Sequence, residues 1–80
     1  MSFVYIVKKD LNFNLEQAAK LVEEKTSLKL NKLKEKTLTT HKGALYTTDN
    51  DNAHELCKKA VLAKSFDFDV WASKSFPTAS

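Results

Sequence analysis

The fold turns on one stretch, Leu33-Lys34-Glu35-Lys36-Thr37-Leu38-Thr39-Thr40-His41-Lys42-Gly43-Ala44-Leu45-Tyr46-Thr47-Thr48. Its first half, to Thr40, is rich in Thr and Lys, with Leu38 as an apolar anchor. β-Branched residues favour extended backbone, and alternating Lys discourages pairing with another chain, so this half reads as an edge strand. His41-Lys42-Gly43 holds the only glycine in the protein and reads as the tip of a hairpin. Ala44 to Thr48 is then the return strand. Two adjacent strands in mid-chain, in place of a strand and a helix, set what the flanking segments can build.

Upstream, residues 3–9 start Phe3-Val4-Tyr5-Ile6-Val7 and read as a strand running into Lys8-Lys9. Asp10 to Phe13 is a connection. Asn14 is a good helix N-cap, with Gln17 as its capping-box partner. Leu15, Ala18, Ala19 and Val22 recur on one face of the helix that follows, which should end near Thr26 or Ser27. Leu28 to Asn31 suits either a longer helix or the start of the next strand. Downstream, Asp49-Asn50-Asp51-Asn52 gathers turn and capping residues, and Asn52 with Glu55 forms a second capping box. Ala53, Leu56, Cys57, Ala60 and Val61 follow a 3.6-residue period to about Ser65. Phe66, Phe68, Val70 and Ala72 alternate with Asp67, Asp69, Trp71 and Ser73 in a last strand. Pro77 and the small polar residues around it form a tail, so a single domain is expected over residues 1–76 with a tail at 77–80.

The order is strand-helix-strand-strand-helix-strand. Its commonest home in a short chain is the α+β ferredoxin-like sandwich, a four-stranded antiparallel sheet with both helices on one face. The usual spatial order is fourth-first-third-second. That puts the Lys-rich second strand at an edge, where charge is best tolerated.

Eighty residues, 42% hydrophobic and 29% charged, make one small globular domain. A single Cys57 forms no internal disulfide, which favours a reducing compartment, the cytoplasm. The apolar start is too short to span a bilayer, so no membrane is expected as partner. One glycine excludes a P-loop or a dinucleotide-binding turn. All thirteen basic residues are Lys. Lys lacks the bidentate fork that Arg offers to guanine, so sequence-specific groove reading is not expected. Residues 25–42 carry six Lys against Glu35, a segment of net +5 on a remainder of net −2. Such a segment is a candidate polyanion footprint, or a solvated and Lys-blunted sheet edge.

Side chains alternate across a strand, so each strand offers two sets. The more aliphatic set is expected beneath the helices: Val4, Ile6, Leu38, Leu45, Phe68 and Val70. The open face then takes Phe3, Tyr5 and Val7, with Ala44, Tyr46 and Thr48, and with Asp69, Trp71 and Ser73. Monomers rarely expose a large apolar patch. Such a face stacks nucleobases, pairs with a second copy, or docks another protein; a shifted register would instead bury its aromatics.

Val4-Tyr5-Ile6 resembles the first-strand motif of RNA-recognition-motif domains, with Tyr5 at its aromatic position. Lys42-Gly43-Ala44-Leu45-Tyr46 resembles the start of their third-strand motif, matching at Lys42, Gly43 and Tyr46. It departs at Ala44, Leu45, Thr47 and Asp49, where the motif has an aromatic, a small residue, Val and an aromatic. The resemblance implies this element order and stacking aromatics on the first and third strands.

Catalytic chemistry finds little purchase. His54 and Cys57 have a spacing able to ligate zinc, with His41 as a third donor, but Cys57 lies on the apolar stripe of its helix. Asp67 and Asp69 share one side of a strand, and Asp49 and Asp51 lack the glycine and terminal Glu of a calcium loop. No catalytic residue, metal ligand or cofactor is assigned. The expectation is a non-enzymatic module that binds RNA or single-stranded nucleic acid. Phe3, Tyr5, Tyr46 and Trp71 would stack bases, and Lys32, Lys34, Lys36 and Lys42 would contact phosphates. The alternative is a protein-interaction module, either a sheet-mediated homodimer or a small inhibitor of the phage or mobile-element type.

Overall fold

A computed structural model describes residues 1–74. The expected end of the domain at Phe76 and the tail at 77–80 lie outside the described residues. The chain has the element order β1 (Ser2–Lys8), α1 (Leu15–Thr26), β2 (Asn31–Thr37), β3 (Lys42–Thr48), α2 (Ala53–Leu62) and β4 (Asp69–Ser73). The four strands form one antiparallel sheet in the order β2-β3-β1-β4. This is the α+β ferredoxin-like arrangement, with the Lys-rich β2 at an edge.

Helix α1 begins where Asn14 accepts the Gln17 N–H through its side chain at 3.1 Å. It ends at Ser27, whose φ of 59° turns the chain out of the helix. Glu23 then accepts the Leu30 N–H at 2.7 Å and guides the chain toward β2. Leu28 joins the core in this connection, and the ambiguous residues thus divide between loop and strand.

Helix α2 departs from its expected caps. Asn52 makes no side-chain capping bond; Asn50 accepts the Asn52 N–H instead, at 2.8 Å. The helix stops at Leu62, short of Ser65. Lys64, at φ 56°, donates its N–H to the Val61 carbonyl, and Ser65 donates to the Ala60 carbonyl. This pair of bonds around a left-handed residue is a Schellman closure, here without the usual glycine.

Beneath the sheet, Val4, Ile6 and Val22 are fully buried, with Leu15, Ala18, Ala53, Cys57 and Val70 around them. Phe13, Phe66 and Phe68 close one end: the Phe68 ring lies 5.2 Å from each of the other two. Phe66 and Phe68 were expected within the last strand. They precede β4 and plug the core from its loop, while Asp67 between them pairs with Lys8 at 3.0 Å.

The hairpin differs in two ways. Its turn is Leu38 to His41, closed by the Leu38 N–H donating to the His41 carbonyl at 2.8 Å. Leu38 is therefore exposed at the turn and not a core anchor. Gly43 is no turn residue; it sits inside β3, opposite Val7 and Lys36. A Cβ there would stand 2.9 Å from the Tyr5 hydroxyl and 3.0 Å from the Ile6 carbonyl oxygen. Glycine is required because the Tyr5 phenol lies across it.

Candidate nucleic-acid interface

Residues directly opposite in an antiparallel pair share a face, so the register sorts every strand side chain. Three rows cross the face away from the helices. The first runs Lys34–Leu45–Tyr5–Trp71 from β2 to β4. The second is Lys36–Gly43–Val7–Asp69 and the third Asn31–Thr47–Phe3–Ser73. Neighbouring strands lie about 4.8 Å apart, so the first row spans about 14 Å.

Phe3, Tyr5 and Trp71 therefore stand on the face away from the helices, as expected, Trp71 with 69% of its surface exposed. Lys34 and Lys36 end the first two rows on the β2 edge, without a carboxylate partner among the described residues. The rings and these two ammonium groups form a band, aromatic at β1 and β4 and cationic at β2, with the exposed Asp69 carboxylate at the β4 end of the second row.

Tyr46 does not belong to that band. It pairs with Val4, is 4% exposed, and faces the helices. Its hydroxyl donates to the Leu15 carbonyl at 3.5 Å, and burial pushes its pKa up from 10.0. The whole of β3 is turned over relative to the expected parity: Ala44, Tyr46 and Thr48 lie beneath the sheet, and Leu45 above it. The cause lies in what each side offers. Under the sheet, a tyrosine spans the gap to α1 and finds an acceptor for its hydroxyl. Above it, Gly43 makes room for Tyr5, and Leu45 is only 7% exposed between Tyr5 and Lys34 in its row. The third-strand resemblance, which set Tyr46 among stacking aromatics, fails at this parity.

Two of the four expected phosphate-binding lysines are also elsewhere. Lys32 pairs with Tyr46 on the helix-facing side and is bound by the Glu35 carboxylate. That hydrogen bond holds the Lys32 ammonium above its usual pKa and Glu35 below the carboxylate range. Lys42 pairs with Lys8 on the same side, and lines a shallow hollow with Phe13 and Glu35. A bulge between Lys32 and Lys34 explains the split, because an extra residue moves the lysines either side of it to opposite faces.

Gly43, Leu45, Thr47 and Asn31 are residues of this face that sequence reasoning did not place there. The available signal was glycine itself: inside a strand it marks a close approach, here by the aromatic ring of the neighbouring strand.

Among the described residues, no three His, Cys, Asp or Glu side chains group to hold a metal ion, and no helix is long and apolar enough to cross a membrane. Cys57 is 2% exposed and burial pushes its thiol up to about 11, so it is a poor ligand and nucleophile near neutrality. Compared with known protein families, curated proteins and solved structures, the chain matches none.

Proposed function

We propose that this protein binds RNA or single-stranded nucleic acid on the open face of its sheet, as a binding module and not an enzyme. The observation that carries this reading is the row Lys34–Leu45–Tyr5–Trp71, a cation and two aromatic rings in line on a face that no helix covers among the described residues. Tyr5 and Trp71 stack bases, with Phe3 beside them, and Lys34 and Lys36 hold the backbone. Stacking accepts any base, and lysine without arginine reads charge more than base edges, so sequence preference is weak. Lys32 and Lys42 act only through the general field of the basic segment. The lone Cys57 accords with a reducing compartment, the cytoplasm.

The test is anisotropy of a labelled single-stranded RNA of mixed sequence, titrated with the protein. Tyr5→Ala lowers affinity about tenfold, the worth of one stacked base. Tyr46→Phe keeps the ring beneath the sheet and leaves affinity unchanged. Equal affinity for wild type and Tyr5→Ala would remove the open face as the site. A second reading, a protein-interaction module, is favoured by the exposure of Trp71 at the sheet edge.

A further inference from the structure

The face away from the helices carries cations at one border and a carboxylate at the other. Lys36 and Asp69 end its second row, with Gly43 and Val7 between them. Asp69 is exposed, shares its side of β4 with Trp71, and pairs with no ammonium group among the described residues. On a surface that only held phosphates, this carboxylate would be a cost, because it repels the backbone that the lysines attract. An ionised carboxylate also has a use of its own. It offers two acceptor oxygens and no donor, so it suits a planar group with two adjacent N–H donors.

Tyr5 sets what lies between the two borders. Its backbone stands in the first row, opposite Leu45 and Trp71. Its hydroxyl reaches Gly43 in the second row, where a Cβ would stand 2.9 Å from the oxygen and 3.2 Å from Cζ of the ring. The ring therefore leans along the sheet and covers the Gly43 backbone. A base stacked on it lies over the middle strands, with β2 on one side and β4 on the other. Neighbouring strands lie about 4.8 Å apart, so the ends of the row are about 14 Å apart, room for one purine nucleotide and the two side chains that reach it. With its phosphate at Lys34 or Lys36, such a nucleotide turns its sugar toward β2 and the outer edge of its base toward Asp69.

That edge differs among the bases in its order of donors and acceptors. Guanine sets N1–H and the N2 amine side by side, two donors for two carboxylate oxygens. Adenine and cytosine each set one amine beside a bare ring nitrogen, which repels the second oxygen. Uracil holds one N–H between two carbonyls. We infer, on the reading that this face binds single-stranded RNA, that the position over Tyr5 takes guanine, held by Asp69 through N1–H and the N2 amine. The rest of the platform accepts any base, so the preference is confined to one nucleotide.

The experiment is anisotropy of short labelled uridine strands with guanosine, adenosine or inosine at the centre. All three are purines and stack alike, so they differ at the edge facing Asp69. Guanosine should bind about tenfold tighter than adenosine, the lower end of what a bidentate pair discriminates. Inosine keeps N1–H and lacks the N2 amine, and should fall between them. Asp69→Asn, an exposed change of similar size, should bring guanosine down to the affinity of adenosine without weakening the adenosine strand, while circular dichroism stays that of the wild type. Equal binding of the three strands by the wild type overturns the guanine assignment and leaves the binding face standing. A guanosine preference that survives Asp69→Asn does the same. Failure of every strand to bind at low salt overturns the binding face and the guanine position together.

Discussion

The two faces of the central strands differ by one residue in sequence and by everything in environment. Val4, Ile6, Ala44 and Tyr46 point beneath the sheet, where α1 and α2 leave each at most 4% exposed. Tyr5, Val7 and Leu45 are their immediate neighbours and point the other way, with no helix above them among the described residues. Leu45 is nonetheless 7% exposed. The contrast teaches that burial on a thin sheet comes from two sources: helices on one side, and cross-strand neighbours lying flat on the other. Only the first excludes a ligand. The second leaves a surface of rings and lysine stems, ordered by the strands, that another molecule can reach.

Substitutions on the two faces should separate by kind. Ile6→Ala empties a fully buried site under the helices and should cost about 3 kcal/mol in urea unfolding. Val7→Ala, one residue on and half-buried, should cost under about 1 kcal/mol. Equal losses would mean that the open face is as much a core as the other. Gly43→Ala comes next. Its methyl meets the Tyr5 hydroxyl and the Ile6 carbonyl, and the backbone oxygen cannot swing away. A loss of about 1–2 kcal/mol is expected, eased when Tyr5→Ala is added; a neutral Gly43→Ala would place the phenol elsewhere.

Charge sharpens the contrast further. Lys34→Gln with Lys36→Gln should lower the salt slope of single-stranded RNA binding by about 1.4, at about 0.7 for each phosphate contact. Lys32→Gln should leave the slope alone, because that ammonium faces the helix side and is held by Glu35. A slope that responds equally to all three would erase the distinction between faces.

The last effect appears only in alkali. The Cys57 thiol moves from 9.0 to about 11 because burial disfavours the thiolate. The unfolded chain releases that proton near pH 9 and the folded one only near 11, so stability is full below pH 9 and declines between them. Tyr46, raised from 10.0 by burial, adds to the decline at its upper end. Cys57→Ala should flatten the dependence of the urea midpoint between pH 9 and 11, and an unchanged slope would mean that the thiol reaches water.

Most of the fold was legible because its signals are local and repeated. Leu15, Ala18 and Val22 mark one helix stripe, Asn14 its cap, and the Lys run of β2 its edge. The parity of β3 was not legible. A strand of Gly, Ala, Leu, Tyr and Thr has no dominant apolar side, and the rule that aliphatic residues face helices put Leu45 inside. What decides between the faces is non-local: the Leu15 carbonyl that takes the Tyr46 hydroxyl, and the phenol of Tyr5 that needs Gly43 bare. The position of Lys32 was hidden for a similar reason, since a bulge leaves no mark in a run of alternating Lys. Phe3, Tyr5 and Trp71 came out right because β1 and β4 each keep a clean two-residue alternation.

Trp71 is the only tryptophan and stands at the end of the row proposed to stack bases. Its fluorescence, followed while mixed-sequence single-stranded RNA is titrated in at low and then moderate salt, tests the central claim most directly. Saturable quenching whose midpoint moves to higher RNA concentration with salt is the predicted result. No change in emission at either salt would contradict the account of the open face as a nucleic-acid platform.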